Sequence, residues 1–156
     1  MSAQAIFIPK KDFIQKQENV LAWQFDTGDE TIATSTVFYL HHFIPTGEKS
    51  WSISGSTGTL EGENLFLYLF SIPYTNDAPF NKTFTLKDGL TFKHGHSSPG
   101  PSGYYGITYV DADEATLSID LHPTKGTAVG KFEATFKSHG YRPQPEGAFN
   151  LLRDDL

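Results

Sequence analysis

Apolar and polar residues alternate along most of this chain in short runs, and each run stops at a turn signal. The segment 50–56, SWSISGS, sets Trp51, Ile53 and Gly55 against serines. That period of two is the mark of a strand with one buried face. TLSIDLH (116–122), AVGKFEATFK (128–137) and GAFNLLR (147–153) alternate in the same way. VLAWQFD (20–26), the long β-branched and aromatic run 31–44, and YYGITYV (104–110) also read as strands, as does AIFIP (5–9). One run breaks the alternation. LFLYLFSI (65–72) carries Leu65, Leu67, Leu69 and Ser71 on one face and Phe66, Tyr68, Phe70 and Ile72 on the other. A strand apolar on both faces belongs in the middle of its sheet.

Turn signals recur at intervals of roughly 8–12 residues, as in antiparallel sandwiches and barrels. We therefore expect one all-β domain over residues 1–156, an antiparallel β-sandwich, with a closed β-barrel as the alternative. At most one short helix is expected near residues 10–22, where Phe13, Ile14, Gln17, Val20 and Leu21 fall at helical spacing. Asp88-Gly89 between two apolar runs is a hairpin signal. Strands do not alternate with helices, which argues against a doubly wound fold and its cofactor crevice. The closing segments GKFEATF (130–136) and EGAFNL (146–151) resemble the final hairpin of small bacterial β-sandwich domains of unknown function, which end G-x-F, an apolar strand, then G-x-F. That resemblance implies the fold class and no activity.

Composition narrows the functions. The chain has no cysteine, which excludes a disulfide scaffold, a thiolate nucleophile and Cys-ligated zinc. Net charge is −6, and the 12 basic residues are mostly scattered lysines. Nucleic acid is not an expected partner, because its recognition needs a basic patch and arginine forks. No run is long enough for an integral membrane segment, and the first residues lack a secretory apolar core. The default compartment is the cytoplasm, with signal-less export left open. No cofactor is expected: FKHGHSSPGPSGYYG (92–106) has glycines but neither a P-loop ending nor a strand–helix setting.

That same stretch holds the candidate chemistry. His94 and His96 are two apart, so on a strand both would point to one metal, with His122 or His139 as a third ligand. Gly95 between them and two prolines after them favour a surface loop, in which both histidines could be replaced at little cost. Tyr104, Tyr105 and Tyr109 could form a ligand-binding rim or simply alternate between core and solvent. His41-His42 should point to opposite faces, one of them inward. Asp26, Asp29 and Glu30, and Asp111, Asp113 and Glu114, form acidic turns without an EF-hand pattern. Trp23 and Trp51 read as core. No coherent catalytic set emerges. The expected function is a non-enzymatic binding or interaction module for a protein, a second copy of itself, or a carbohydrate. The alternatives are a β-barrel carrier of an apolar small molecule and a metal-dependent enzyme using the histidines.

Overall fold

A computed structural model of the chain describes residues 19–25, 28–138 and 142–156. Eleven strands follow one another: β1 (Val20–Gln24), β2 (Thr31–Ile32), β3 (Ser35–Phe43), β4 (Glu48–Thr57), β5 (Phe66–Pro73), β6 (Phe80–Thr85), β7 (Thr91–Ser98), β8 (Gly106–Asp111), β9 (Glu114–His122), β10 (Thr127–Thr135) and β11 (Glu146–Leu152). They build two antiparallel sheets, ordered β2-β1-β11-β10-β9-β6 and β3-β4-β5-β7-β8. The sheets face one another across a single cluster of buried side chains, so the fold is a sandwich and not a closed barrel. The expected strand 5–9 and most of the expected helix lie outside the described residues; the end of that helix, Val20–Leu21, belongs to β1.

Aromatic rings fill the space between the sheets. Phe70 of β5 stacks on Phe92 of β7 with centroids 5.2 Å apart, and Phe132 and Phe149 of the facing sheet lie 5.3 and 5.6 Å from Phe70. Trp23 meets Tyr68 edge to face at 5.1 Å. The closing hairpin explains its own glycines. Gly130 is directly opposite Phe149, and Phe132 is opposite Gly147. Each ring occupies the space that a side chain on the facing glycine would need; a Cβ on Gly130 would stand 2.7 Å from Cζ of Phe149. Neither glycine has a positive φ, so the requirement is room rather than backbone conformation.

β5 is the middle strand of its sheet, as its two apolar faces require. Its inward row is buried: Tyr68, Phe70 and Ile72 are at most 1% exposed. The outward row, Leu65, Leu67, Leu69 and Ser71, is only half-buried.

Three local expectations are corrected. The run 31–44 is two strands in different sheets: Ala33 donates its N–H to Leu21 and Thr34 donates to Ser56, so the chain changes sheets between Ile32 and Ser35. Asp88-Gly89 does not close a hairpin, since β6 and β7 lie in opposite sheets. Asp88 instead accepts hydrogen bonds from the N–H and hydroxyl of Thr85, winding 86–88 into a 3-10 turn. Gly89 then leaves that turn at φ 90°, a left-handed conformation suited to glycine. Finally, β7 runs through both histidines to Ser98, so the loop begins at Pro99 and not at Gly95.

Two predictions follow from this packing. Phe70→Ala should lower unfolding free energy by about 3–5 kcal/mol, whereas Leu67→Ala should cost about 1 kcal/mol, both read from urea titrations. Equal costs would mean that the outward row is as tightly packed as the core. The Tyr68 hydroxyl is buried with no hydrogen-bond partner among the described residues, and burial raises its pKa far above the ordinary value. Removing an unsatisfied buried hydroxyl relieves a desolvation cost, so Tyr68→Phe should stabilise the protein by about 1 kcal/mol. A loss of stability would reveal a partner for that oxygen.

Candidate binding surface

The two outer faces of the sandwich differ in kind. On the six-stranded sheet, the outward positions of β9, β10 and β11 include Thr116, Ser118 and Asp120; Lys131 and Glu133; and Glu146. Val129, Ala148, Leu152 and Ile32 share this face with the charged residues; Glu133 is directly opposite Glu146, and the Gln24 side-chain amide donates to Glu146. A hollow of about 420 Å³ lies over it.

The outer face of the five-stranded sheet is lightly charged and sets leucines and aromatic rings among serines. Its rows are set by strand register. One row runs Ser35, Ser56, Leu67, Gly95, Tyr109, and the next runs Val37, Ser54, Leu69, Lys93, Asp111. A third joins Ser97 to Ile107, with the Leu65 carbonyl bonded to the Ser97 N–H. Serines of β4 supply small side chains between the Val37 edge and the leucine column. Seven of the ten large apolar residues left exposed among the described residues are on these strands or their turns: Val37, Phe43, Ile44, Tyr104, Tyr105, Ile107 and Tyr109.

The tyrosines are all outside. Tyr104, Tyr105 and Tyr109 are 74%, 53% and 51% exposed, so they do not alternate between core and solvent. Tyr104 and Tyr105 end the loop after Pro99, and Tyr109 is in β8. The Tyr109 ring lies across Gly95, where an added Cβ would be 2.7 Å from Cε1. The Lys93 ammonium is 5.9 Å from the same ring's centroid. Gly95 therefore does not end a strand; it makes room for a ring on the sheet surface.

His94 and His96 share a face, as a strand requires, but it is the inner one. His94 is 2% exposed, meets Phe136 edge to face at 4.7 Å, and stacks with Phe66 at 5.8 Å and with His96 at 5.5 Å. Burial, and secondarily the neighbouring His96, lower the pKa of His94. Among the described residues no three His, Cys, Asp or Glu side chains converge as a metal site. His122 pairs instead with Asp120 at 3.3 Å, and His139 lies outside the described residues. His41 and His42 are both exposed, because the inward-directed His42 sits beyond the end of the core.

In the acidic turns, Asp113 accepts hydrogen bonds from the Lys137 and Ser138 N–H groups and the Ser138 hydroxyl. Asp111 lies in β8, and Asp26 is outside the described residues. Sequence reasoning missed the half-buried leucine column as part of a surface, because an apolar strand carries no label for which row is covered.

Comparison with protein-family models, with curated proteins and with solved structures finds no match to this chain.

The buried histidine gives a test of this geometry. In the unfolded chain His94 titrates near the ordinary value of about 6.5, and in the fold it titrates lower. Between those two values the unfolded state holds more protons, so stability rises with pH through that window and is lost as pH falls below about 6.5. His94→Phe should remove this part of the slope in urea midpoints measured across that range. His94→Ala should cost about 2–4 kcal/mol, as a core truncation does. A cost under about 0.5 kcal/mol would return His94 to the surface.

Proposed function

We propose that this protein is a non-enzymatic interaction module and that the outer face of its five-stranded sheet is the contact surface. The observation that carries this reading is the asymmetry of the two outer faces. One carries Asp120, Lys131, Glu133 and Glu146 among hydroxyls and aliphatic side chains and presents no exposed aromatic ring among its described strand residues. The other gathers Val37, the Leu65–Leu67–Leu69 column, Ile107 and Tyr109 into adjoining rows, with Tyr104 and Tyr105 in the neighbouring loop. Contiguous apolar surface of this kind marks protein contact sites, and tyrosine is favoured in them because it buries large area at small entropic cost.

A carbohydrate partner has one specific observation in its favour. Tyr39, Ser52, Ser71 and Thr91 form a hydroxyl row across four strands, and Ser71 and Thr91 are hydrogen-bonded at 2.5 Å. A hollow of about 760 Å³ beside it is lined by His41, Phe43, Ser50, Tyr74 and Thr91. Rings beside hydroxyls suit a sugar. The carrier reading has less support: stacked rings occupy the space between the sheets, and both hollows named here are on outer faces.

The reading is tested with the uncharged hydrophobic dye Nile red as probe. Ser54→Lys places a charge between Val37 and Leu69 and should weaken dye binding by about tenfold. Thr116→Lys, on the opposite outer face, should leave it unchanged. Equal dye binding by both variants would remove this face as the contact surface. Amide shifts at Ser50, Ser71 and Thr91 on titration with an oligosaccharide panel would select the carbohydrate partner.

A further inference from the structure

A sandwich of two open sheets has four edge strands, and an unguarded edge pairs with other chains. Three of the four are guarded here, each by a different device. β2 is two residues long. β6 carries Lys82 on the same face as buried Phe84, its ammonium 4.8 Å from the Phe84 ring; an inward-facing charge in an edge strand opposes further pairing. β3 is covered by the chain's own end. The Phe38 N–H donates to the Asp154 carboxylate at 2.8 Å and the Leu40 N–H to Asp155 at 3.1 Å, while the Asp154 N–H donates to the Phe38 carbonyl. Arg153 anchors this segment with two hydrogen bonds to Asp155 and one to the Pro123 carbonyl, and its guanidinium lies 5.0 Å from the Trp51 ring centroid.

The fourth edge, β8, has no such guard among the described residues. Its sequence, GITYVD, has no proline, no lysine and no inward charge. Register fixes which backbone groups it offers. The Ser97 N–H bonds to β5 and the Ala112 N–H bonds to Phe92 of β7. In an antiparallel ladder these alternate, so Thr108 and Val110 bond to β7, while Ile107, Tyr109 and Asp111 turn their N–H and C=O groups outward. The side chains of those three residues are also the ones on the outer face.

We propose that β8 is a self-association edge, where a second copy of the chain adds antiparallel to form one continuous ten-stranded sheet. The occupant is argued from self-complementarity. A two-fold axis through Thr108 places Ile107 opposite Tyr109 of the second copy, twice over, in pairs that exchange both backbone hydrogen bonds. Because the Tyr109 ring lies toward Gly95 of β7, it leaves room for the Ile107 side chain of the second copy. On the other face the exposed Thr108 meets its own copy, a favoured pair. The two Asp111 carboxylates then lie roughly 20 Å apart along the paired strands, beyond the screening length of about 8 Å at physiological salt. Moving the axis to Tyr109 sets Asp111 against Ile107, and moving it to Val110 sets Asp111 against Tyr109, so the first register is favoured. Locally Asp111 is balanced by its cross-strand neighbour Lys93, so this edge is near neutral in a chain of net charge −6. The acidic β3 edge would repel a second copy.

This goes beyond the outer-face reading, and the test separates the two. Native mass is followed over a dilution series, together with amide hydrogen exchange. A dimer should form on concentration, and the Ile107, Tyr109 and Asp111 amides should become protected with it. Thr108 and Val110 should be protected at every concentration. Ile107→Lys should weaken the dimer at least about tenfold, a change of roughly 1.4 kcal/mol. Ser54→Lys, away from the edge, should leave the dimer intact while losing the dye. A monomer at all concentrations whose three outward amides exchange freely overturns the edge proposal and leaves the face reading standing. A dimer dissolved by Ser54→Lys but not by Ile107→Lys overturns it in favour of face-to-face contact. Should Ile107→Lys fail to fold, Tyr109→Lys with the same exchange readout decides the matter.

Discussion

The reciprocal packing of phenylalanine on glycine between β10 and β11 places two large rings at the centre of the sandwich. Phe132 lies over Gly147 and Phe149 over Gly130, so two large rings lean across their own sheet without forcing it apart. Both rings then reach Phe70 at under 6 Å, and Phe70 in turn stacks nearly parallel on Phe92. Close-packed interiors tolerate little change of volume. A methyl group at either glycine would meet a backbone carbonyl of the neighbouring strand, that of Ser118 at Gly130 and of Ala22 at Gly147, as well as the facing ring. The G-x-F repeat at the end of the chain is thus a packing device.

The two faces of the molecule follow from where such rings are spent. Inside, rings carry the core, so the outer faces are free to differ. The six-stranded sheet sets charges and hydroxyls among aliphatic side chains. The five-stranded sheet leaves leucines half-covered and tyrosines exposed, a composition that costs solubility unless something occupies it. Three sheet edges carry a guard, at β2, β3 and β6, and β8 carries none among the described residues.

Much of this was legible in the chain. Period-two alternation gave the strands of β4, β9, β10 and β11, and the doubly apolar run gave β5 its central place. What escaped were positions where one residue type serves two physical ends. Asp88-Gly89 has hairpin chemistry, yet the Asp88 carboxylate turns back on Thr85 and sends the chain across to the other sheet. Residues 31–44 are uniformly β-branched and aromatic, and nothing in that uniformity marks the change of sheet at Ala33-Thr34. Of the candidate site residues, the three tyrosines are exposed, whereas His94 is in the core. Gly95 and the following prolines suggested a surface loop for that histidine; its imidazole instead packs among Phe66, Phe136 and His96.

Gly95 joins these threads. It stands between the two histidines, and its missing side chain serves the opposite face of the strand. There the Tyr109 ring lies down on the sheet, with Leu67 beyond it. The arrangement repeats, on the outside, what Gly130 and Gly147 do for Phe149 and Phe132 on the inside. The difference is what covers the ring. Inside, the facing sheet does. Outside, Tyr109 stays half exposed, held flat beside the open edge of β8, where a ring projecting into solvent would obstruct an approaching strand. A side chain at position 95 would lift that ring and disturb the surface without touching the core. The same glycine–ring geometry thus serves both the interior that holds the fold and the exposed outer face of the five-stranded sheet.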